Sequence, residues 1–507
     1  MASFRSAGTI AVPRRQQLVG GVGLTCALVV ASILVAYGGA RDLRLFAAAG
    51  VLVCLPFVVY AAFLWPLRAL PAGFVLVLIA ATKFRGRSAT ASLEGDADSQ
   101  VKFELAMYAF LGLVVVLAYL RHSRAVRRLR PVELILLSYA LLALCSTLWS
   151  PSRALTLVRA AQQLILLCLA VLSVRLMSPS RLLRALSGAV LAYVLICSTL
   201  SLAFPWAGGG LVDFGEGQRF SWFAMHPIAA ATLIGIASLL TLSVIVFGPR
   251  GWRERRFGLP LALYMVPLTG LLIAANSRGP SAAFLAGAGA LLVRKHLRVW
   301  TVLALIAFSV ALLVLFASKG ETMADLLTRI ASTDPRVAEL ILRGQSVRDL
   351  EGFSGRTDVW RAAWPLLVKH PVLGVGFQGS RAALLAAVPW ASYAHNALLQ
   401  TLLDLGVLGA VLLWGSLVYC LVVTCRPIEG LSREAVWCQA SAFSAAVYLT
   451  VNSVTFESFA AAPGFDLLLL LVCILIANQT RAPAVATDPQ RPSVRSAGRT
   501  YTPQFLR

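Results

Sequence analysis

SYAHNALLQTLLDLGVLG, residues 392–409, opens on a histidine and an asparagine and then runs on as an apolar stretch from 397 to 424. A run of that length is a membrane-span signal, because roughly 20 apolar residues are needed to cross the hydrocarbon core as a helix. The polar pair therefore stands at the doorway of a membrane helix, where a titratable ring needs an explanation.

Working outward, similar runs recur at about 18–38, 45–64, 69–82, 103–120, 132–149, 155–174, 183–204, 224–247, 258–275, 279–293, 299–317, 435–456 and 463–478. With 397–424 they make fourteen candidate spans, or twelve if the short third and tenth runs do not cross. The first, Leu18 to Gly38, reads as a retained helix: it is long enough to span and is followed by many more, unlike a secretory signal peptide. The chain is 59% hydrophobic and 13% charged over 507 residues, with a mean hydropathy of +0.79. The expected fold is an all-α polytopic membrane protein, a bundle of 12–14 transmembrane helices with one large periplasmic or extracellular loop containing short helices.

The expected organisation is N-terminal transmembrane helices over 1–130, central transmembrane helices carrying arginines over 131–317, and a large outer loop over 318–395. C-terminal transmembrane helices follow over 396–480, then a basic cytoplasmic tail, disordered by composition, over 481–507. Arginine gathers in RHSRAVRRLR (121–130), RLMSPSRLLR (175–184), PRGWRERR (249–256), RKHLR (294–298) and the tail. The positive-inside rule makes these segments, and both termini, cytoplasmic; KFRGR (83–87) is the exception, since the same scheme puts it outside.

The formal charge of +23 is spread over short loops between spans, so nucleic-acid binding is excluded for want of a basic soluble domain. The nine cysteines lie within or at the ends of apolar runs and form neither a disulfide framework nor a zinc ligand set. GxxxxGK[ST], HExxH and GxSxG are all missing, as is an acidic pair at metal-binding spacing.

The outer face collects Arg153, Arg219, Arg278, Arg356, His226, His370 and His395. A guanidinium suits phosphate because its planar fork bonds two oxygens and its charge does not titrate away. Two or three arginines converging from separate loops can hold a pyrophosphate without a metal; each taken alone can equally be a snorkelling or salt-bridged residue. Arg278 sits in the tight turn NSRGP (276–280), and Arg219 follows a glycine-rich loop and can serve beside Arg278 or pair with Asp213 or Glu216. Imidazole is the side chain whose unperturbed titration lies near neutrality, so His395 can take a proton from an incoming hydroxyl, or it can be only an interfacial polar residue. Asn396 can cap the first turn behind it. His226 and His370, each followed by proline, read as loop punctuation. Asp404, Glu457 and Asp466 are either proton-relay acids or partners of the arginines. Trp360, Trp364 and Leu367 stand at helical spacing in a segment ended by Pro371, Gly374 and Gly376, which predicts a helix lying in the interface or an ordinary packed loop helix.

SGRTDVWRAAWPLLVKHPVLGVGF followed by AHNALLQTLLDLGVLGAVLLW resembles the bacterial O-antigen ligase and polysaccharide polymerase superfamily: SGR, a tryptophan, HP-x-x-G-x-G, then HN leading into a helix with D-x-G-x-x-G. LWSPSRALTLVRA, GQRFSWFAMHP and NSRGP are similar to lesser landmarks in the same order, so the resemblance covers about residues 130 to 480. Ala397 and Leu398 depart from the small-then-aromatic pair common after HN, which touches helix packing more than chemistry. The resemblance implies a multi-pass glycosyltransferase of the bacterial cytoplasmic (inner) membrane. Such an enzyme transfers a glycan from an undecaprenyl-pyrophosphate carrier to an acceptor hydroxyl at the outer face, with neither metal nor cofactor. The acceptor is a lipid A core sugar for a ligase, in lipopolysaccharide biosynthesis, or another lipid-linked glycan for an O-antigen or exopolysaccharide polymerase. Arg219 and Arg278 would then hold the donor pyrophosphate with Arg356 as a third, His395 would be the base, Asn396 would stand beside it in the substrate site, and direct attack would invert the anomeric configuration. The alternative class is a transporter or flippase of a lipid-linked glycan or other solute.

Overall fold

The computed structural model describes residues 66–82, 99–123, 128–204, 210–213, 218–223, 225–249, 260–294, 355–425 and 431–481. The runs expected at 18–38, 45–64 and 299–317, the first part of the large loop and the basic tail lie outside the described residues. The elements are α1 (Pro66–Ala80), α2 (Ser99–His122), α3 (Pro131–Cys145), α4 (Arg153–Leu176), α5 (Pro179–Ala203), β1 (Gly210–Asp213), β2 (Gln218–Ser221), α6 (Pro227–Phe247), α7 (Met265–Ala274), α8 (Arg278–Val293), α9 (Arg356–Lys369), α10 (Ser380–Ala387), α11 (Ala397–Cys425), α12 (Arg433–Asn452) and α13 (Phe465–Arg481). The chain is an all-α polytopic membrane protein.

Six described helices are long and apolar enough to cross a membrane, and α8 and the segment Leu70–Ala80 are among the shorter apolar ones, as the short third and tenth runs foretell. Starts follow local chemistry. Proline, whose missing N–H is no loss in a first turn, opens α3, α5 and α6. Ser178 caps α5 and Ser432 caps α12 through their side-chain oxygens. The Nδ1 of His226 accepts from Ile228 N at the head of α6, so this histidine is indeed punctuation.

Helices α6, α12 and α13 form the centre. The apolar window of α6 is 78% buried and that of α2 only 28%, and α13 is enclosed on every side from Leu467 to Ala477. A helix apolar all round belongs inside the bundle, while one left exposed presents its apolar surface outward, where lipid is the natural solvent. α8 packs against α6 and α12, and α11 against α3, α12 and α13.

Helix α11 is not continuous. At Gly406 the backbone leaves the helix (φ 64°, ψ −164°), and the segment HPVLGVG docks antiparallel along the break. Val375 N donates to Leu403 O (2.8 Å), Gly376 N to Asp404 O (2.9 Å), Val407 N to Pro371 O (2.8 Å) and Leu408 N to Val372 O (3.3 Å). A broken membrane helix is tolerated only when the freed backbone groups find protein partners, and this segment supplies them. The approach explains the glycines of both motifs. A Cβ on Gly374 would lie 2.5 Å from the Asp404 carbonyl, and one on Gly406 2.2 Å from that of Val372. Ser146 and Thr156 hold the next residue, accepting from Phe377 N (2.9 Å) and donating to Phe377 O (2.7 Å). The described part of the large loop is thus fixed to α3, α4 and α11.

Candidate functional site

α9 covers the approach to α11. Its Val359 and Ala363 pack on Leu384, Ala391, Ala394 and Leu403, and Trp360 Nε1 donates to Ala394 O at 2.9 Å. Trp360 is partly buried and Trp364, one turn on, is 63% exposed, so the helix expected from the tryptophan spacing is present.

Beneath it, the chain reaches His395 in the left-handed region (φ 50°). Such a conformation costs about 1–3 kcal/mol outside glycine and is kept where the surroundings over-determine it. Here they do. Asn396 caps α11, its Oδ1 accepting from Leu399 N (2.9 Å) while its Nδ2 donates to Val454 O (3.0 Å). Ala397 N donates to Ser453 O (2.9 Å). The imidazole stacks on Trp390, with centroids 5.5 Å apart and planes 22° apart. Its Nδ1 lies 3.0 Å from Oε2 of Glu457, an ion-pair contact whose alignment in this structure is too oblique for a formed hydrogen bond.

Glu457 stands in the turn between α12 and α13 and is buried. Burial pushes its carboxyl up, but the His395 imidazole and the Arg356 guanidinium together hold it below the usual carboxylate range. It is an anion at neutral pH. Tyr393, next to His395, carries the guanidinium of Arg381 over its ring at 5.5 Å, and burial raises its phenol above the ordinary range.

The same α12–α13 turn meets the arginines. Gly279, at the head of α8, is so close to Thr455 that a Cβ would lie 2.4 Å from its Oγ1. Arg278 is the first residue of α8 and is exposed. Arg219, on β2, donates through Nη2 to Ser277 Oγ (2.8 Å) and through Nε to Ala275 O (3.5 Å), which places it against the Arg278 turn. The stretch 452–457 thus joins the Arg219–Arg278 corner to the His395–Asn396 doorway. Arg356 opens α9 and reaches the cluster through its charge on Glu457.

The other two acids are occupied structurally. Asp404 sits in the α11 break and accepts from Ser380 Oγ (2.6 Å) and Gln400 Nε2 (2.9 Å), and Asp466 accepts from Ser458 Oγ (2.9 Å). His370 ends α9 and is exposed. Two contributors are not singled out by sequence reasoning: Glu457 as the partner of His395, and Trp390 as its stacking platform. The available signals are thin, a lone acid in ESFAAAPG and a tryptophan just before SYAHN. Among the described residues no three His, Cys, Asp or Glu side chains converge as a metal site.

Residues 261–414 match the family model described as O-Antigen ligase. That span holds Arg278, Arg356, His395, Asn396 and the break at Gly406; Arg219 and Glu457 fall outside it. No curated protein matches the chain.

Proposed function

We propose, from the match of residues 261–414 to the O-antigen ligase family model, that the chain transfers a glycan from an undecaprenyl-pyrophosphate carrier to an acceptor hydroxyl at the outer face of a bacterial cytoplasmic membrane. The observation that carries the reading is an imidazole 3.0 Å from a carboxylate of the turn that also meets the Arg219–Arg278 corner.

The chemistry needs little from the protein. The anomeric carbon already carries a good leaving group, so the site must aim a hydroxyl at it and stabilise the charge gathering on the departing pyrophosphate. Arg219 and Arg278 bind that pyrophosphate, and Arg356 lends a third positive charge. His395 takes the acceptor proton as the new C–O bond forms opposite the breaking one, which inverts the anomeric centre. Asn396 fixes the backbone from which the ring projects.

The test is reconstitution of the purified protein with an undecaprenyl-pyrophosphate oligosaccharide and two acceptors offered separately, lipid A core and a second lipid-linked glycan. Product on the first marks a ligase and product on the second a polymerase. Absence of both, with donor crossing the bilayer, replaces the reading by a flippase.

A further inference from the structure

We propose that Glu457 is a positioning residue of the transfer site: its carboxylate receives the Nδ1–H of His395 and so presents Nε2 as the basic nitrogen to the acceptor hydroxyl. The inference rests on the transferase reading above and adds to it a residue outside the matched family span.

Three restraints define the ring. Trp390 stacks on one face, the α11 cap and the Ala397–Ser453 bond fix the backbone behind it, and Glu457 meets Nδ1 from a different part of the chain. Among the described residues no side chain bonds Nε2. A neutral imidazole carries one N–H, and the partner of one nitrogen decides which nitrogen keeps the lone pair. A carboxylate at Nδ1 selects the Nδ1–H form, leaving Nε2 to accept. When the acceptor oxygen bonds the anomeric carbon and the bond to pyrophosphate breaks, the hydroxyl proton moves to Nε2. The resulting imidazolium is then balanced by the adjacent anion, as in the histidine–carboxylate couples of hydrolases. The proton leaves to water after product release.

A purely structural role would have Glu457 serve Arg356 or the turn alone. Geometry argues otherwise: a buried carboxylate requires a partner, and the imidazole nitrogen lies 3.0 Å from it. The other charged or titratable groups acting on the cluster are Arg356 of α9, Tyr393 of the preceding loop and Asp466 of α13. Arg381 of α10, Arg159 of α4 and Glu104 of α2 act through Tyr393.

Glu457→Gln keeps the size and an acceptor oxygen but removes the charge. In the reconstituted assay kcat should fall about a hundredfold, with the KM for the lipid-linked donor unchanged. The acid limb of the pH–rate profile should move down by about one pH unit, because the imidazolium has lost its counter-charge. Glu457→Asp, which keeps the charge, should restore the limb. A Gln variant with the native rate and limb, or one that loses rate while its limb stays in place, overturns the proposal. A second readout needs no turnover and no variant of Glu457: 15N spectra of histidine-labelled protein in nanodiscs, with His395 assigned by its loss in His395→Gln. An Nδ1–H tautomer is expected in the native protein, and an Nε2–H or mixed tautomer overturns the proposal. If the native protein transfers nothing, the transferase reading fails, and the tautomer still decides whether Glu457 orients the ring.

Discussion

The two ends of the helix bundle use arginine in opposite ways. At the end away from His395, Arg294 is buried where α8 stops and donates to Thr424 O (2.9 Å) and Gln439 Oε1 (2.8 Å), tying α8 to α11 and α12. Arg175, at the foot of α4, bonds both oxygens of Glu133 and the carbonyl of Arg128. These side chains are consumed in joining helices. At the His395 end, Arg278 is exposed and Arg219 donates to a hydroxyl and a carbonyl of the turn that precedes Arg278. The backbone differs in the same sense. All described non-glycine residues with positive φ, namely Phe223, Asn276, Gln378, His395 and Ser458, lie at this end, as do the positive-φ glycines 210, 355, 374, 376 and 406. Strain of this kind persists where a local geometry is required that regular helix does not provide. One end of the bundle is built for assembly, and the other carries the proposed site.

The comparison breaks if residues at the two ends behave alike. The largest expected effect is that of His395→Ala, which should lower transfer by about 10²–10⁴-fold while insertion and thermal stability in detergent stay near native. Near-native glycan output would remove the imidazole from the reaction. Gly406→Ala should act through the fold instead. The φ/ψ of Gly406 lies in a region used almost only by glycine, and the added Cβ meets the Val372 carbonyl. Destabilisation of about 1–3 kcal/mol from the backbone alone should appear as a lower Tm together with lost activity. A Gly406→Ala protein with native Tm would mean that the break in α11 is not required. Arg278→Ala comes next: a rise in donor KM by about tenfold, the value of one hydrogen bond to a charged group, with little change in Tm. Arg278→Lys should recover only part of it, since an ammonium cannot offer two parallel donors to a phosphate.

The described spans were legible because apolar length is a local property, and so were the starts marked by Pro131, Pro179 and Pro227. The cap at Asn396 was legible for the same reason. The hairpin of β1 and β2 was not, as its two four-residue strands flank a glycine-containing sequence, FGEG, within a stretch that reads as irregular. Nor was the break in α11. DLGVLG continues the apolar run without interruption, and the groups that accept and donate at Gly406 come from Pro371 to Gly376, a separate segment. The arginine corner could be suspected from residue type, but its assembly depends on the turn at 452–457, which carries no motif. Glu457 and His395 meet only because α12 and α13 bring the two loops together, and pairing across such separations has no periodicity for a sequence to display.

Arg294→Met sharpens the comparison from the other end. The substitution removes a buried guanidinium and leaves Thr424 O and Gln439 Oε1 without its donors, a loss of about 1–3 kcal/mol for each orphaned group. Methionine recovers part of that through apolar burial and by relieving the desolvation of a cation. The net effect should be a modest fall in Tm, with turnover per folded molecule and donor KM unchanged, because Arg294 lies at the far end of α8 from Arg278. Arg294 and Arg278 are joined by a single helix, however, so the outcome is informative in either direction. If Arg294→Met shifts donor KM, α8 transmits a displacement along its axis and the two ends are one mechanical unit. If it shifts Tm alone, the helix-joining arginines and the site arginines are separable.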